Sequence, residues 1–285
     1  MGGEELTDTP RFGRRRARTA PPELADLHTH LIPGVDDGAP DLESALQVLQ
    51  AFFDDGVRSV AATPHLNASN LNGSRRALAD ETWPGLARAA RDRFPGVTLY
   101  RGYEIQLDVP ELDLGDPGLR LAGSRYALVE FYAFTVPEGS TEALARIAED
   151  KYVPIIVHPE RYWGYDRGYG VVADWRAAGA LVQLNSGSLL GEYGENVRLV
   201  AHRFLAEGRV DLIASDNHAR PERSPSLRAA WDYLVAEGLE EQARLLLATN
   251  PQRILRDEPT LNVGRLERTR GLFARLGRKL RGRGR

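Results

Sequence analysis

The 285-residue sequence contains no cysteine, and this absence excludes two kinds of chemistry. Without a thiol the chain has no thiolate nucleophile, and it cannot build a zinc site on sulfur ligands. Any metal ion must therefore be held by imidazole and carboxylate groups. The search for ligands is limited to 6 histidines and to the 40 aspartates and glutamates.

The sequence also lacks an apolar run of about 18 residues, and no hydrophobic segment precedes a cleavage site near its start. A membrane span and a secretory signal are therefore not expected, and we predict a cytoplasmic protein. With 42% hydrophobic and 27% charged residues, the composition is typical of a water-soluble globular chain. The length suits one α/β barrel.

The net charge of −3 conceals an uneven distribution. Residues 265–285 carry nine Lys or Arg against one Glu, and residues 1–22 carry five Arg against three acids, which leaves −13 on residues 23–264. A strongly acidic body is a poor binder of nucleic acid and favours cations. We interpret residues 1–22 as a flexible basic, proline-containing arm, residues 23–262 as the barrel and residues 263–285 as a basic tail that is amphipathic or disordered.

The tail carries apolar residues at roughly helical spacing, namely Leu272, Phe273, Leu276 and Leu280. A basic amphipathic helix can lie on an anionic membrane, so residues 265–285 are a candidate for peripheral membrane contact. The four glycines between 271 and 284 weaken such a helix, and a disordered, solvated tail is the alternative. The sequence leaves homo-oligomerisation open.

Seven apolar runs alternate with amphipathic stretches of helical period. The runs cover residues 24–28, 57–63, 97–105, 126–131, 153–157, 180–184 and 210–214, and the helical stretches cover about 42–53, 77–93, 141–149, 171–178, 196–206 and 226–237. Apolar strands separated by amphipathic helices are typical of a parallel sheet covered by helices. Seven such units favour a closed, TIM-like α/β barrel over an open sheet.

Metal-ligating side chains follow six of the seven predicted strands at the point where each strand ends. They are His28 and His30, His65, Glu104, Glu130, His158, and Asp216 with His218. A barrel gathers the C-terminal ends of its strands at one mouth, so these residues are expected around a single cavity. Each has an ordinary alternative in a turn or on the surface, but the coincidence at six strand ends favours a metal centre. Asp26, next to the first pair, could orient an imidazole.

So many imidazoles and carboxylates exceed the needs of one ion. Two or three divalent ions bridged by a carboxylate are the economical solution, with Mn²⁺, Zn²⁺ or Fe as candidates. Multinuclear sites of this kind hydrolyse phosphate esters. Arg161 and Arg223 follow predicted ligands closely, and guanidinium groups match phosphate oxygens well, although either arginine alone could serve in a salt bridge.

Five motifs carry a resemblance to a known family. They are DLHTHLIPGVDDG at 26–38, ATPH at 62–65, YEI at 103–105, VHPERY at 157–162 and ASDNH at 214–218. In this order they resemble the polymerase and histidinol phosphatase (PHP) superfamily, and within it the bacterial capsule-type protein-tyrosine phosphatases of the CpsB/YwqE group. The resemblance covers residues 24–255. It implies a distorted (βα)₇ barrel, the PHP fold, holding up to three metal ions, commonly manganese.

The resemblance also implies roles for individual residues. One ion would be held by His28, His30, Glu104 and Asp216, and Glu104 would bridge to a second ion held by His65 and His158. A third ion would be held by Asp37 and His218, with Glu130 as a further candidate. Arg161 and Arg223 would bind the phosphoryl group. Separately from the resemblance, we expect an acid of the site, a histidine such as His218, to assist the leaving phenolate.

The predicted function is therefore that of a metal-dependent phosphomonoesterase, with in-line attack by a metal-generated hydroxide on phosphotyrosine. The implied partner is the phosphotyrosine tail of a bacterial tyrosine kinase of polysaccharide export. One alternative is a small-molecule phosphatase acting on a substrate such as histidinol phosphate. Another is a non-catalytic adaptor that acts through its basic tail at a membrane.

Overall fold

The structure, a computed structural model, describes residues 21–165, 169–220 and 226–266. The predictions made for the arm up to residue 20, for Arg223 and for the tail from residue 267 lie outside these ranges. In the described part, none of the helices is long and apolar enough to cross a membrane.

Strands and helices alternate along the described chain as the sequence pattern predicts. The first half contains β1 (Leu24–Thr29), α1 (Leu42–Asp54), β2 (Val57–Ala62), β3 (His65–Asn67), α2 (Ser74–Arg93), β4 (Thr98–Arg101), β5 (Glu104–Leu107) and β6 (Tyr126–Phe131). The second half contains α3 (Ser140–Glu149), β7 (Val153–Val157), α4 (Gly170–Ala177), β8 (Leu181–Asn185), α5 (Ser186–Leu190), α6 (Glu195–Ala206), β9 (Leu212–Ala214), α7 (Leu227–Ala236), α8 (Glu240–Arg244) and α9 (Asn250–Leu255). A π-helical turn, Leu245–Thr249, joins α8 to α9.

One of the seven predicted strands is broken in the middle and another is followed by a separate short strand, which makes the barrel irregular. The second predicted strand, 57–63, corresponds to β2, and β3 begins beyond Pro64, which has no backbone N–H to donate to a sheet ladder. The third divides into β4 and β5 around Gly102, where an added Cβ would lie 3.2 Å from the Cα of Leu121. The strands form two parallel sheets in the orders β1-β2-β4 and β3-β5-β6-β7-β8-β9.

The last strand returns to the first and closes the ring. The Asp216 N–H donates to the His28 carbonyl at 2.9 Å, and the His30 N–H donates to the Asn217 carbonyl at 2.9 Å. The carboxylate of Asp26 accepts from the Ser215 N–H at 2.9 Å and therefore links β1 to β9. The predicted distorted seven-stranded barrel is confirmed, whereas Asp26 joins strands and does not orient an imidazole.

The core lies on both sides of the strands. Val60, Ile156 and Val182 are fully buried in their strands, as expected when helices cover a parallel sheet. Helix α1 shows how a helix is set on this sheet: Asp41 caps it by accepting from the Ser44 N–H at 2.8 Å, and its buried face includes Leu49 and Phe52. The helices hold the strand ends in place at the barrel mouth.

Candidate metal centre

All nine predicted metal ligands lie in one cavity at the C-terminal mouth of the strands. Their donor atoms form three overlapping groups, each with its atoms within 4.8 Å of one another: His28, Glu104, His158 and Asp216; His30, Asp37, His65 and His218; and His65, Glu104 and Glu130. Glu104 and His65 each belong to two groups. The arrangement is a continuous multinuclear donor set.

Glu104, at the first position of β5, lies at the centre of this set. Its Oε2 atom is 2.9 Å from His65 Nδ1, 3.1 Å from His28 Nε2 and 3.3 Å from His30 Nε2. Within the described ranges, this buried oxygen nevertheless makes no hydrogen bond of acceptable geometry. Its other oxygen, Oε1, is 2.9 Å from His158 Nε2. Oε2 thus lies close to three imidazole nitrogens and forms no hydrogen bond with them. Glu104 is therefore suited to act as a bridging metal ligand.

His28 in β1 and His30 just after it face the same point. Their Nε2 atoms are 3.3 Å apart, and both lie 3.5 Å from Asp216 Oδ1. This cluster of nitrogen and oxygen lone pairs, free of sulfur, fits divalent first-row metals. The donor residues therefore fit the metal ions that the sequence motifs imply.

Two of the candidate ligands adopt an unusual backbone conformation. His158 has φ of 37° and Asp216 has φ of 54°. Both lie in the left-handed backbone region that residues other than glycine rarely occupy. Such conformations persist where the surrounding structure enforces them, and they concentrate at functional sites. Here they turn side chains at the ends of β7 and β9 into the cavity.

The outer part of the cavity contains the more exposed candidates. Asp37 Oδ1 lies 3.6 Å from His65 Nε2 and 3.5 Å from His218 Nε2, and the Asp37 side chain is 61% exposed. His218 stacks on the ring of His30 at 3.9 Å. Glu130 lies on the other side, 3.6 Å from His65 Nδ1, and groups with His65 and Glu104. The division of the nine ligands among individual ions stays a prediction.

The electrostatics of the cavity reflect crowded, buried charges. Burial alone would lower the pKa of His28, but the carboxylates of Glu104 and Asp216 raise it to about 9. Burial alone would raise the pKa of Glu104 and of Asp216, but the neighbouring histidines, His28 first, hold both well below the usual range. Burial, together with the charge of Glu104, raises the pKa of Glu130 to about 8. Several buried anions in one cavity are the electrostatic counterpart of a cation site.

A pair of amide side chains on β8, which our sequence analysis missed, orients these ligands. The His28 Nδ1–H donates to Gln183 Oε1 at 2.8 Å, the Gln183 amide donates to Asn185 Oδ1 at 2.8 Å, and the Asn185 amide donates to Asp216 Oδ2 at 2.8 Å. The chain of bonds fixes the hydrogen of His28 on Nδ1 and turns Nε2 toward the cavity. The signal was present in the sequence, because polar residues at alternate positions of an apolar strand share one face.

Asp36 is a second residue that the sequence analysis missed. Its side chain is 1% exposed, and Oδ2 lies 2.7 Å from His30 Nδ1. The same carboxylate accepts from the backbone N–H groups of His65 and Gly38, at 3.0 Å each. Although burial opposes it, the interaction with His30 holds the pKa of Asp36 well below its usual range. The adjacent carboxylates therefore divide their roles, with Asp36 orienting a ligand and Asp37 facing the cavity.

The substitution Gln183→Leu is expected to lower the affinity for divalent metal ions by about 10- to 100-fold, because His28 loses the acceptor that orients it. Isothermal titration of the metal-free protein with Mn²⁺ measures the effect. Gln252→Leu is a matched control, because Gln252 donates to Ser59 Oγ near the opposite end of the barrel. Equal affinities for Gln183→Leu and the unmodified protein would exclude this role of the amide pair.

Of the two arginines predicted to bind phosphate, Arg161 lies within the described residues. It lies at the edge of the donor set. Its Nη1 group donates to Asp216 Oδ2 at 2.8 Å. Its guanidinium carbon lies 4.6 Å from the ring centre of Phe134 and 4.5 Å from that of Tyr193. The two rings hold the guanidinium by cation–π contacts from two different loops. The predicted partner Arg223 lies outside the described residues.

The sequence of this barrel matches a known protein family. The profile of the family described as "Capsular polysaccharide synthesis, CpsB/CapC" matches residues 24–256. The chain belongs to this family. The match includes every candidate metal ligand and both arginines, so the motifs that carry the resemblance lie inside the family's own region.

Curated members of the family resemble the chain over most of their length. The tyrosine-protein phosphatase YwqE of Bacillus subtilis (strain 168) is 26% identical over 240 residues, which is 82% of this chain and 92% of the relative. The putative tyrosine-protein phosphatase CapC of Staphylococcus aureus is 27% identical over 248 residues, or 83% of this chain and 95% of the relative.

Solved structures share the fold. A chain from the crystal structures of YwqE from Bacillus subtilis and CpsB from Streptococcus pneumoniae, which are metal-dependent tyrosine phosphatases, superposes with a TM-score of 0.73 and 25% identity. The superposition covers 86% of this chain and 100% of the other. Dihydropyrimidinase from Brevibacillus agri superposes with 15% identity and a TM-score of 0.51, over 86% of this chain and 73% of the other. This likeness concerns the fold alone.

Proposed function

We propose that the protein is a metal-dependent phosphotyrosine phosphatase of capsule or exopolysaccharide synthesis. The observation that carries the proposal is the shared position of Glu104, which belongs to two of three contiguous donor groups beside Arg161. Carboxylate-bridged multinuclear sites suit phosphate-ester hydrolysis. The relatives named above are tyrosine phosphatases.

The residues divide into those that hold metal and those that bind substrate. Two or three divalent ions, with manganese the leading candidate and zinc or iron as alternatives, would be held by His28, His30, Asp37, His65, Glu104, Glu130, His158, Asp216 and His218. Bound ions supply a hydroxide at neutral pH and neutralise charge on the phosphoryl oxygens. Gln183, Asn185 and Asp36 would keep the ligands oriented through their hydrogen bonds to His28, Asp216 and His30.

Arg161 is proposed to bind the phosphoryl group. Since Nη1 is engaged with Asp216, the opposite edge of the guanidinium is the part available to phosphoryl oxygens. Arg223 is proposed as the second phosphate-binding arginine on sequence grounds. His218, 18% exposed at the mouth, is proposed as a metal ligand beside Asp37. Burial and the neighbouring His30 lower the pKa of His218 to about 4, so its neutral imidazole suits that role better than the role of acid for the leaving phenolate.

The proposed physiological substrate is the phosphotyrosine tail of a polysaccharide-export tyrosine kinase. The membership in the capsular family supports this partner class. The proposed location is the cytoplasm, with peripheral contact of residues 265–285 with the inner face of the plasma membrane as one candidate and a solvated tail as the alternative. The barrel proposed over 23–262 agrees in extent with the family match over residues 24–256.

The substrate class is tested by comparing a phosphotyrosyl peptide with histidinol phosphate under identical manganese loading. We expect kcat/KM for the peptide to exceed that for histidinol phosphate by at least about 100-fold, since an enzyme discriminates by differential transition-state binding. A preference for histidinol phosphate would assign the site to small molecules. If protein fully loaded with manganese hydrolyses neither substrate, the proposed phosphatase activity is contradicted.

A further inference from the structure

Two aromatic side chains stand out because they are exposed. Trp163 is 73% exposed and Tyr132 is 67% exposed, whereas the other large exposed hydrophobic residues in the described ranges, Leu42, Leu78 and Leu261, reach at most 44%. Large aromatic side chains of a folded protein usually bury most of their surface. Exposure of two such rings on neighbouring loops is typical of a recognition surface.

The two rings belong to one structural unit at the barrel mouth. Tyr132 follows β6 and Trp163 follows β7, and the two loops pair through their backbones. The Trp163 N–H donates to the Phe134 carbonyl at 2.7 Å, and the Val136 N–H donates to the Trp163 carbonyl at 3.3 Å. We call residues 132–136 together with residue 163 the aromatic lip.

The backbone of the lip is held in an unusual conformation. Ala133 and Phe134 both have φ of 52°, in the left-handed region that L residues rarely adopt. Consecutive residues of this kind persist only when their surroundings enforce them, and they recur at ligand-binding positions. The pairing with Trp163 provides that enforcement.

The lip is continuous with the candidate metal centre. The ring of Phe134 lies 5.3 Å from the ring of His158 and carries the guanidinium of Arg161 at 4.6 Å. The lip is therefore the wall of the mouth on the side where the phosphate-binding arginine lies. A polypeptide whose phosphoryl group reached Arg161 would therefore lie close to the lip.

We propose that the aromatic lip binds the polypeptide flanking the phosphotyrosine and that Tyr132 and Trp163 are specificity-determining residues. The inference rests on the proposed function. A small phosphate ester would end inside the cavity and make no use of rings outside it, whereas a protein substrate offers backbone and side chains to pack on them. Rigid aromatic residues contribute large contact area at low entropic cost.

The test uses the full chain, loaded with manganese, and the variants Tyr132→Ala, Trp163→Ala and their combination. Two substrates are compared: a phosphotyrosyl peptide of about ten residues and free O-phosphotyrosine, which has the same reacting group without flanking residues. We expect the double substitution to raise KM for the peptide about 10-fold. The kcat for the peptide, and both constants for free phosphotyrosine, should stay unchanged.

Leu261→Ala is the matched control, because Leu261 is 44% exposed and its carbonyl accepts from Asn250, away from the barrel mouth. Metal content and thermal unfolding of every variant establish that the site and fold are intact. Should the double variant fold poorly, Trp163→Leu gives the same comparison, because the substituted side chain is mostly in water.

Three outcomes would overturn the proposal. One is an unchanged KM for the peptide, and another is an equal rise of KM for both substrates, which would place the effect on the phosphotyrosine itself. The third comes from co-sedimentation of the same variants with anionic lipid vesicles: loss of vesicle binding with peptide kinetics intact would assign the lip to a membrane surface. If the unmodified protein hydrolyses neither substrate, the proposed function fails, and that result is distinct from all three.

Discussion

Replacement of Glu104 by glutamine is expected to reduce kcat/KM for a phosphotyrosyl peptide by about a thousandfold or more. The substitution keeps the shape of the side chain and removes the charge of an oxygen that lies within 3.3 Å of three imidazole nitrogens. An amide is a much poorer bridge between two cations than a carboxylate. Metal content should therefore fall along with activity, which steady-state kinetics and elemental analysis measure in parallel.

The control for this substitution is Glu43→Gln. Glu43 lies in the first turn of α1, and its side chain is 63% exposed. The substitution there makes the same chemical change at the surface of the protein. This control should keep full activity and metal content. A Glu104→Gln protein with unchanged metal content and turnover would remove the bridging carboxylate from the proposal.

Replacement of Arg161 by lysine is expected to reduce kcat/KM for the same peptide by about 100-fold without loss of metal. Lysine keeps the positive charge, but it lacks the planar group that lies between Phe134 and Tyr193 and bonds Asp216 at the same time. The inhibition constant of inorganic phosphate should rise, because the phosphoryl-binding fork is lost.

Arg125→Lys is the matched control for Arg161→Lys. Arg125 also forms an ion pair with an aspartate, since its Nε lies 2.9 Å from Asp257 Oδ1, but that pair is on the surface. The control should bind phosphate as the unmodified protein does. Unchanged phosphate inhibition in Arg161→Lys would mean that Arg161 is only a structural partner of Asp216.

The barrel and the members of its donor set were predictable from the sequence because of one geometric property. Parallel strands of a barrel deliver their C-terminal ends to a single mouth, so polar residues far apart in sequence, such as His28 and Asp216, become neighbours. The seven apolar runs gave the strands, and the motifs at their ends gave the candidate ligands. Near-continuous apolar strands require helices on the outside, which fixed the fold class.

Other features could not be read from the sequence in the same way. Asp36 and Asp37 are adjacent and chemically identical, and only the path of the loop decides that Asp36 is buried against His30. The rings of Phe134 and Tyr193 that contact Arg161 come from loops almost sixty residues apart. No local sequence pattern predicts that these two rings contact the same guanidinium. By contrast, the alternation of Gln183 and Asn185 within β8 was a readable signal of an inward polar face.

Removal of the metal is the most direct test of whether the phosphatase activity depends on it. Purified protein is freed of metal with a chelator, elemental analysis establishes complete removal, and turnover of a phosphotyrosyl peptide is measured before removal, after removal and after readdition of Mn²⁺. We expect two or three ions per chain at the start, loss of turnover with the ions and recovery on readdition. Phosphotyrosine hydrolysis that persists at full rate in protein free of metal would contradict the account.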